Sequence, residues 1–202
     1  MVADESDSRF TTRFKDGREW RVGGASEVAW IVEATVPGLE ITAAVPPAFA
    51  AYCTVVLPEH LEGAQRRHDR AVVALLAGRS EPQPWWLGYL ETGIGAEVVF
   101  FDAPRVKLYS GWDYVLVQAG PEQAVSWRET EGARAPWKGA LPDLMFPVDH
   151  SWLFSTLWDD HWSCIGGCEA LVASFARAPE FGARTRTVAL GEDATPPGHE
   201  PH

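Results

Sequence analysis

Apolar residues recur at helical spacing in four stretches of this chain. The longest stretch runs from about Glu59 to Ala77 and ends before Gly78, and a glycine directly after the last periodic residue is a common helix end. A shorter stretch follows Ser26, a residue type that caps helices, and ends before Pro37-Gly38. The other two predicted helices are residues 121–127 and 169–177. Because the stretch after Ser26 is short, the sequence predicts three or four helices.

Between the helices the chain changes to short β-favouring segments bounded by turn residues. Four of these segments follow one another after residue 84, and the connections between them are too short for a parallel crossover, which needs about a dozen residues. They therefore predict an antiparallel meander. The predicted strands are residues 39–45, 51–56, 85–90, 96–101, 105–110, 113–118, 151–157 and 185–190. The fold class that follows is α+β, a mostly antiparallel sheet with three to four helices packed on it.

The composition is that of a folded domain. The chain has 202 residues, of which 46% are hydrophobic and 22% charged, and this is an ordinary balance for a globular protein with one core. We expect residues 17–190 to form a single α+β domain. Residues 1–16 are polar without a clear period and predict a flexible segment, whereas residues 191–202 predict a disordered tail. Residues 129–140 combine glycine, proline and alternating charges, which is typical of a mobile surface loop.

Charge narrows the class of partner. The net charge of −11 argues against binding to nucleic acid or to an anionic membrane, because both need a basic surface. The first nine residues are acidic where a signal peptide would be cationic, and no window reaches the roughly 18 apolar residues of a membrane span. We therefore expect a cytoplasmic protein, with reduced thiols at its three cysteines. The sequence does not determine the oligomeric state.

Tryptophan is the most informative residue type in the chain. Eight of the ten tryptophans lie between Trp85 and Trp162, and clustered indoles build either a bulky core or a flat wall for a ligand. The sequence leaves both outcomes open. If the rings are exposed, the acidic residues beside them complete a binding face. The candidate binding residues are Trp112, Trp152, Trp158, Asp159, Asp160, His161 and Trp162.

The same region contains side chains that could serve a metal ion or acid–base chemistry. The candidate metal ligands are His150, His161, Cys164 and Cys168. Their spacing is not a known zinc pattern, and a small-residue turn before a helix is the alternative interpretation. The Asp159-Asp160 pair could act as acid and base, or could accept backbone hydrogen bonds in a turn. No nucleophile elbow, phosphate-binding loop or dinucleotide fingerprint is present, so we predict no cofactor and leave enzymatic activity open.

One stretch resembles known proteins. It begins at Ser151 and reads Ser-Trp-Leu-Phe-Ser-Thr-Leu-Trp-Asp-Asp-His-Trp-Ser-Cys-Ile-Gly-Gly-Cys-Glu-Ala-Leu-Val. This stretch, about a tenth of the chain, resembles a C-terminal pattern of actinobacterial proteins and is similar to the ends of SMI1/KNR4-like (SUKH) proteins, many of which are inferred to be toxin-immunity or scaffold proteins. The N-terminal helix and Leu-Pro signature of that superfamily have no counterpart here. The resemblance implies a non-catalytic α+β module that binds another protein.

Two functional hypotheses follow. The first is a non-catalytic, immunity- or scaffold-like module whose acidic, tryptophan-rich face binds a protein partner, with a basic partner fitting the charge best. The second is a small-molecule-binding protein or enzyme with a tryptophan-lined pocket, in which the Asp149-His150 and Asp159–His161 segments supply a base or a metal ligand. If every tryptophan serves the core, neither hypothesis has a site.

Overall fold

The structure is a computed structural model that describes residues 10–58, 63–91, 100, 102–128, 141–157 and 160–200. Its helices are α1 Ala25–Val32, α2 Ala64–Ala77, α3 Pro121–Ser126 and α4 Glu169–Arg177. Its strands are β1 Thr11–Arg13, β2 Glu19–Arg21, β3 Ala51–Val56, β4 Trp85–Leu90, β5 Val106–Leu108, β6 Trp112–Ala119, β7 Leu144–Pro147, β8 Leu153–Ser155, β9 Trp162–Gly167 and β10 Thr185–Val188.

A single antiparallel sheet organises the fold. Strands β3 to β10 form eight strands in the order β10-β3-β9-β8-β7-β4-β6-β5, and every neighbouring pair is antiparallel. Strands β1 and β2 form a separate hairpin, which reaches the sheet through a bridge between Val22 and Val117. The predicted α+β class, with a mostly antiparallel sheet and helices packed on it, is confirmed. No helix in the described part of the chain is both long enough and apolar enough to span a membrane.

Side chains alternate between the two faces of the sheet and form two separate apolar clusters. In β6, Val115 and Val117 belong to one cluster, while Tyr114 and Leu116 belong to the other, as the two-residue period of a strand requires. The first face is covered by α2, α3 and α4 and is called the α2 face. The second is covered by α1, by residues 41–49 and by the segment around Ala194, and is called the α1 face.

Helices close the α2 face because their apolar residues recur about one turn apart. The residues that they bury in this cluster are Val72, Val73 and Leu76 from α2, Ala124 from α3, and Leu171, Val172 and Phe175 from α4. Trp85, Trp127 and Trp152 fill the space between these helices and the sheet. This face therefore contains a large part of the aromatic core.

The α1 face has a more irregular cover. α1 begins at Ala25, where the backbone N–H of Gly24 donates to the Glu27 carboxylate at 2.8 Å, and it buries Val28 and Ile31. Beyond α1 the chain forms a 3-10 turn over Ile41–Ala43. Irregular segments, which contribute Phe49 and Ala194, complete the cover of this face. Because a two-turn helix is the one helix on it, this face is where a gap in the cover can arise.

The predicted strands differ from the observed ones in the middle and at the end of the sheet. The strand expected at residues 39–45 is wrong, because this segment forms the 3-10 turn and buries Ile41 against the sheet. Strand β7 has no counterpart among the predicted strands. Neither does β9, since its last two residues are glycines, which are typical of a turn.

The glycines of β9 belong to the sheet because the cover approaches closely on both sides. A Cβ on Gly166 would lie 2.4 Å from Phe49 Cδ2, and a Cβ on Gly167 would lie 2.7 Å from Leu171 Cδ2. Phe49 packs on the α1 face and Leu171 on the α2 face. Glycine inside a strand often marks such a close approach, so these two residues are a packing feature and not a turn.

Both ends of the described chain are more ordered than the sequence predicts. Residues 11–13 form the first strand of the hairpin, within the segment 1–16 that was expected to be flexible. In the expected tail, the N–H of Ala194 donates to the carbonyl of Leu39 at 2.7 Å, and Arg186 donates to the carbonyls of Asp193 and Thr195. Residues 193–195, within the segment predicted as a disordered tail, are thus hydrogen-bonded to Leu39 and Arg186. The predicted loop 129–140 and, apart from Phe100, the predicted strand 96–101 lie outside the described residues.

Candidate functional site

Trp112 is the one tryptophan of the described residues whose side chain is exposed, with 44% of its surface accessible. It is the first residue of β6, and the alternation of the strand places its side chain on the same face as Tyr114. Tyr114 is buried in the α1-face cluster. The indole of Trp112 therefore stands at the end of the sheet on the α1 face, at the limit of the core.

A left-handed turn positions Trp112. Tyr109, Ser110 and Gly111 have φ angles of 43°, 65° and 99°, and a bulky residue such as tyrosine adopts positive φ only where its surroundings enforce it. The hydroxyl of Tyr109 donates to the carbonyl of Ala44 and accepts a hydrogen bond from Ser155, both at 2.9 Å. These bonds tie the turn to the cover on one side and to β8 on the other, so the direction of the chain entering β6 is fixed.

The opposite wall comes from the end of α1 and the residues that follow it. The side chain of Thr35 donates to the carbonyl of Ile31 at 2.9 Å, and the N–H of Val36 donates to the carbonyl of Thr42 at 3.1 Å. These bonds fold residues 35–42 into a closed loop. Val32 and Val36, on this wall, are both exposed, which is unusual for two valines so close in the chain.

A cavity of about 680 Å³ lies between these two walls. We call it the Trp112 cavity. The wall from α1 and its loop contributes Val32, Thr35, Val36, Pro37 and Ala43, and the opposite wall contributes Leu108, Tyr109, Trp112, Tyr114 and Leu157. Of the seven large apolar side chains that are exposed among the described residues, three line this cavity. Exposed apolar surface is thus concentrated here, and concentrated exposure is typical of binding sites.

The cavity is poor in charge. Among its described lining residues, Lys107 is the one with a charged side chain. Its neighbours Val106 and Leu108 belong to the α1-face cluster, so the alternation of β5 directs the Lys107 side chain to the other face. There its ammonium group lies 2.7 Å from the carboxylate of Asp113. The charge of Lys107 is therefore directed away from the cavity and paired.

The two tyrosines of the cavity stay neutral. Burial raises the pKa of the Tyr109 hydroxyl far above its usual value, although its hydrogen bond with Ser155 acts in the opposite direction. Burial also raises the pKa of Tyr114. Both phenols are protonated across the range in which proteins are stable, so they offer aromatic surface and hydroxyl hydrogen bonds but no negative charge.

Two of the tryptophans proposed for the binding face are core residues. Trp152 is 1% exposed and Trp162 is 5% exposed. Trp152 packs on the α2 face, where its ring meets that of Trp85 edge-on with 4.8 Å between ring centroids. Trp162 packs on the α1 face. Both rings are buried, so neither contributes to an exposed surface with Trp112. The expectation that these two rings are exposed is therefore wrong.

The acidic run beside them is only partly described. Trp158 and Asp159 lie outside the described residues. Asp160 is half-buried and His161 is exposed, directly before β9. The N–H of Asp160 donates to the carbonyl of Leu157 at 3.3 Å, and the carbonyl of His161 accepts from the N–H of Leu57 at 2.8 Å. The first bond lies in the connection between β8 and β9, and the second extends the pairing of β3 with β9 by one step. Neither bond involves the Asp160 carboxylate, so the turn interpretation of the acidic pair stays a prediction.

The four candidate metal ligands do not come together. Within the described residues, which include all four, no group of three or more His, Cys, Asp or Glu side chains is placed to hold a metal ion. His150 stacks on Trp30 with 4.4 Å between ring centroids. Cys164 is buried in the α1-face cluster, whereas Cys168 is exposed at the start of α4. His161 lies before β9, Cys164 lies within it and Cys168 lies after it. The close spacing of these three residues in the sequence therefore does not produce a metal site.

The cysteine environments do not favour reactive thiolates in the core. All three thiols are free. Burial raises the pKa of Cys53 to about 12 and that of Cys164 further still. A thiol is a metal ligand or nucleophile in its deprotonated form, so burial disfavours both roles for Cys164.

The aspartate next to His150 is also used structurally. The Asp149 carboxylate accepts hydrogen bonds from the N–H of Ser151 at 2.9 Å and from the side chain of Gln83 at 2.7 Å. These bonds lower the pKa of Asp149 against the opposing effect of desolvation, which is the largest single contribution. His150 has φ of 56° in the turn between β7 and β8. The Asp149-His150 segment therefore closes a turn, and it does not line the Trp112 cavity.

Sequence reasoning identified Trp112 but missed the residues around it. Val32, Val36 and Tyr109 were not candidates for a site. One signal was available: residues 28–32 are all apolar, Val-Ala-Trp-Ile-Val, and a helix that packs on a core by one side cannot bury every position of such a run. The surplus apolar residue at the end of α1 is Val32, on the cavity wall.

Comparisons with known proteins identify no relative of this chain. No protein-family model matches the chain, and neither the curated proteins nor the solved structures contain a significant match. The similarity to SMI1/KNR4-like proteins and to actinobacterial proteins therefore stays an expectation from the sequence alone.

Proposed function

We propose that this protein is a binding protein that takes a small apolar molecule into the Trp112 cavity. The observation that carries the proposal is the position of Trp112: an exposed indole forms one wall of a cavity of about 680 Å³ whose opposite wall is aliphatic. Sites for small molecules are concave, mostly apolar and about 300–1,000 Å³ in volume. The cavity has each of these properties.

The proposal develops one of the two hypotheses that the sequence raised, a small-molecule-binding protein with a tryptophan-lined pocket. The other hypothesis, an acidic and tryptophan-rich face for a protein partner, loses support because Trp152 and Trp162 are buried. Binding without catalysis fits the lining residues best. Among the described ones, a hydroxyl is the most reactive side-chain group that faces the cavity, and none is activated by a neighbouring base.

Probe binding to the intact protein tests the proposal. N-phenyl-1-naphthylamine is uncharged and fluoresces strongly in apolar surroundings, so its titration with the protein should give a saturable increase in emission. Val36→Trp adds bulk to a wall residue that is 64% exposed and can accept it without disturbing the core. We expect this variant to weaken the affinity for the probe by at least about tenfold, equivalent to about 1.4 kcal/mol of binding free energy.

Val148→Trp is the matched control. Val148 is also an exposed valine, 44% accessible, but it does not line the cavity. Its variant should bind the probe within about twofold of the wild type, since it adds the same indole elsewhere on the surface. Equal weakening by both variants, or emission that does not saturate, would contradict binding in the Trp112 cavity.

A further inference from the structure

The two walls of the Trp112 cavity differ in chemistry. One wall presents aromatic rings, from Tyr109, Trp112 and Tyr114, and the other presents aliphatic groups from Val32, Val36 and Pro37. Aromatic rings prefer offset-stacked or edge-to-face contacts with other rings, which stabilise by more than the area they bury. A flat ring between these walls can stack on the accessible part of the indole and pack against the aliphatic side chains, whereas a saturated chain can only pack against them.

Charge gives the second constraint on the occupant. The Lys107 ammonium is paired with Asp113 on the other face of the sheet, and the phenols of Tyr109 and Tyr114 are neutral. An ionised group in the cavity would therefore lose hydration without meeting an opposite charge among the described lining residues. The transfer of an unpaired charge out of water costs far more than a stacking contact supplies.

Polar groups at the lining are few and already occupied in part. The Thr35 hydroxyl donates to the carbonyl of Ile31, so its proton is committed and its oxygen can only accept. Ser110 is exposed and lies at the rim. An uncharged hydroxyl or amide on the ligand can use these two groups without bringing a charge into the cavity.

From these constraints we infer that the ligand is an uncharged, planar aromatic molecule whose ring lies against Trp112. This inference rests on the proposed function and narrows it to a class of ligand. It also argues against cations, a class of ligand that two other features of the molecule would favour. A net charge of −11 would attract a cation at long range, and an exposed tryptophan can bind a cation on its ring face, but no described lining residue offers a carboxylate to pair with that cation in the cavity.

Competition against N-phenyl-1-naphthylamine separates these classes. Three competitors share one ring system and differ in charge at pH 7: 1-naphthylmethanol is neutral, 1-naphthylmethylamine is cationic and 1-naphthoate is anionic. We expect the neutral compound to bind at least about tenfold more tightly than either ion. An ion that binds as tightly as the alcohol, or more tightly, would overturn the inference. The proposed function would still stand if Val36→Trp weakened the binding of that ion, because the ion would then occupy the same cavity.

The role of the planar ring needs a separate comparison. Decahydro-1-naphthylmethanol has the same carbon skeleton without the aromatic system, and we expect it to bind about threefold or more weakly than 1-naphthylmethanol. Trp112→Leu should abolish this difference while leaving the preference for neutral compounds. Equal affinity of the flat and saturated compounds for the wild type would overturn the stacking contact. If none of the compounds displaces the probe and Val36→Trp has no effect on it, the proposed function itself fails.

Introducing a charge provides a second test of the same inference. Val36→Lys places an ammonium group on the cavity wall, and its control Val148→Lys places one outside the cavity. If the absence of charge causes the preference, 1-naphthoate should gain affinity relative to 1-naphthylmethanol in the first variant alone. An unchanged ratio in Val36→Lys would show that charge does not determine selection, and would overturn this part of the inference.

Discussion

The two faces of the sheet are covered in different ways, and the cavity follows from that difference. On the α2 face three helices pack side by side, and none of their large apolar side chains is exposed. On the α1 face one short helix, a 3-10 turn and irregular segments that contribute Phe49 and Ala194 provide the cover, and Val32, Val36, Leu39 and Trp112 are exposed there or in the adjoining loop. Packed helices bury the apolar side chains of the α2 face, whereas the irregular segments over the α1 face leave some of its apolar side chains accessible.

Tryptophan makes the contrast specific, because the same residue type has opposite roles on the two faces. Trp152 is sealed under the helices of the α2 face, and Trp112 lines a cavity on the α1 face. The first should matter for stability and not directly for binding, and the second should matter for binding and little for stability.

The largest expected effect is on the α2 face, at Trp152. The ring is 1% exposed, contacts Trp85 edge-on, and donates from Nε1 to the Ser80 hydroxyl. Trp152→Ala should lower the free energy of unfolding by about 3–5 kcal/mol, because it leaves a large void and removes the hydrogen bond to the Ser80 hydroxyl, which keeps its bond to the carbonyl of Leu76. Urea denaturation followed by far-UV circular dichroism measures the loss.

Trp152→Phe serves as the control for that variant. It keeps most of the buried ring and removes the N–H, so its loss should be well under that of alanine. A loss below about 1 kcal/mol for Trp152→Ala would contradict the closed α2 face, because a residue that contributes so little cannot be part of a dense core.

The sequence predicts the elements on the α2 face better than those on the α1 face. The helices of the α2 face, α2, α3 and α4, were all predicted within a few residues, since their apolar period is a local property of the chain. The α1 face was predicted less well. Its segment 39–45 is apolar enough for a strand, but it lies over the face of the sheet, where it forms a 3-10 turn and buries Ile41.

The candidate site shows why local pattern was insufficient. Trp112 could be proposed because an indole is informative by itself, but the same reasoning selected Trp152 and Trp162, which are buried. Strand alternation and the strand order decide between these outcomes, and neither can be derived from the residue type. Val36 and Trp112 are distant in sequence and meet only after the sheet has formed, so the cavity could not be predicted before the topology was known.

A buried histidine on the α2 face predicts the next largest effect. His68 is 2% exposed on α2, its Nδ1 lies 3.3 Å from Arg184, and its Nε2 has no hydrogen-bond partner in the described structure. Burial, with a smaller contribution from the charge of Arg184, lowers the pKa of His68 to about 3. The unfolded chain, with a pKa near 6.5 for histidine, takes up a proton below that pH that the folded chain does not bind.

The sign of the pH effect follows from that difference. His68 should reduce stability as the pH falls from about 6.5 towards 3, by up to about 1.4 kcal/mol per pH unit, or roughly 2 kcal/mol between pH 7 and pH 5. His68→Leu should remove this component of the pH dependence of unfolding. His150→Gln, at an exposed turn, should change it less, although burial lowers the pKa of His150 as well. Identical pH profiles for wild type and His68→Leu would show that His68 is not sealed by the α2 face.

The smallest effect on stability should come from Trp112, on the α1 face. With 44% of its side chain accessible, Trp112 loses little burial on truncation, and Trp112→Ala should change the free energy of unfolding by less than about 1 kcal/mol. The same variant should weaken the affinity for N-phenyl-1-naphthylamine several-fold, because it removes the indole from the cavity wall. A loss of stability as large as that of Trp152→Ala would mean that Trp112 is a core residue whose exposure is incidental. Unchanged probe binding, with the fold intact, would mean that the gap in the α1-face cover is a consequence of irregular packing and not a binding site.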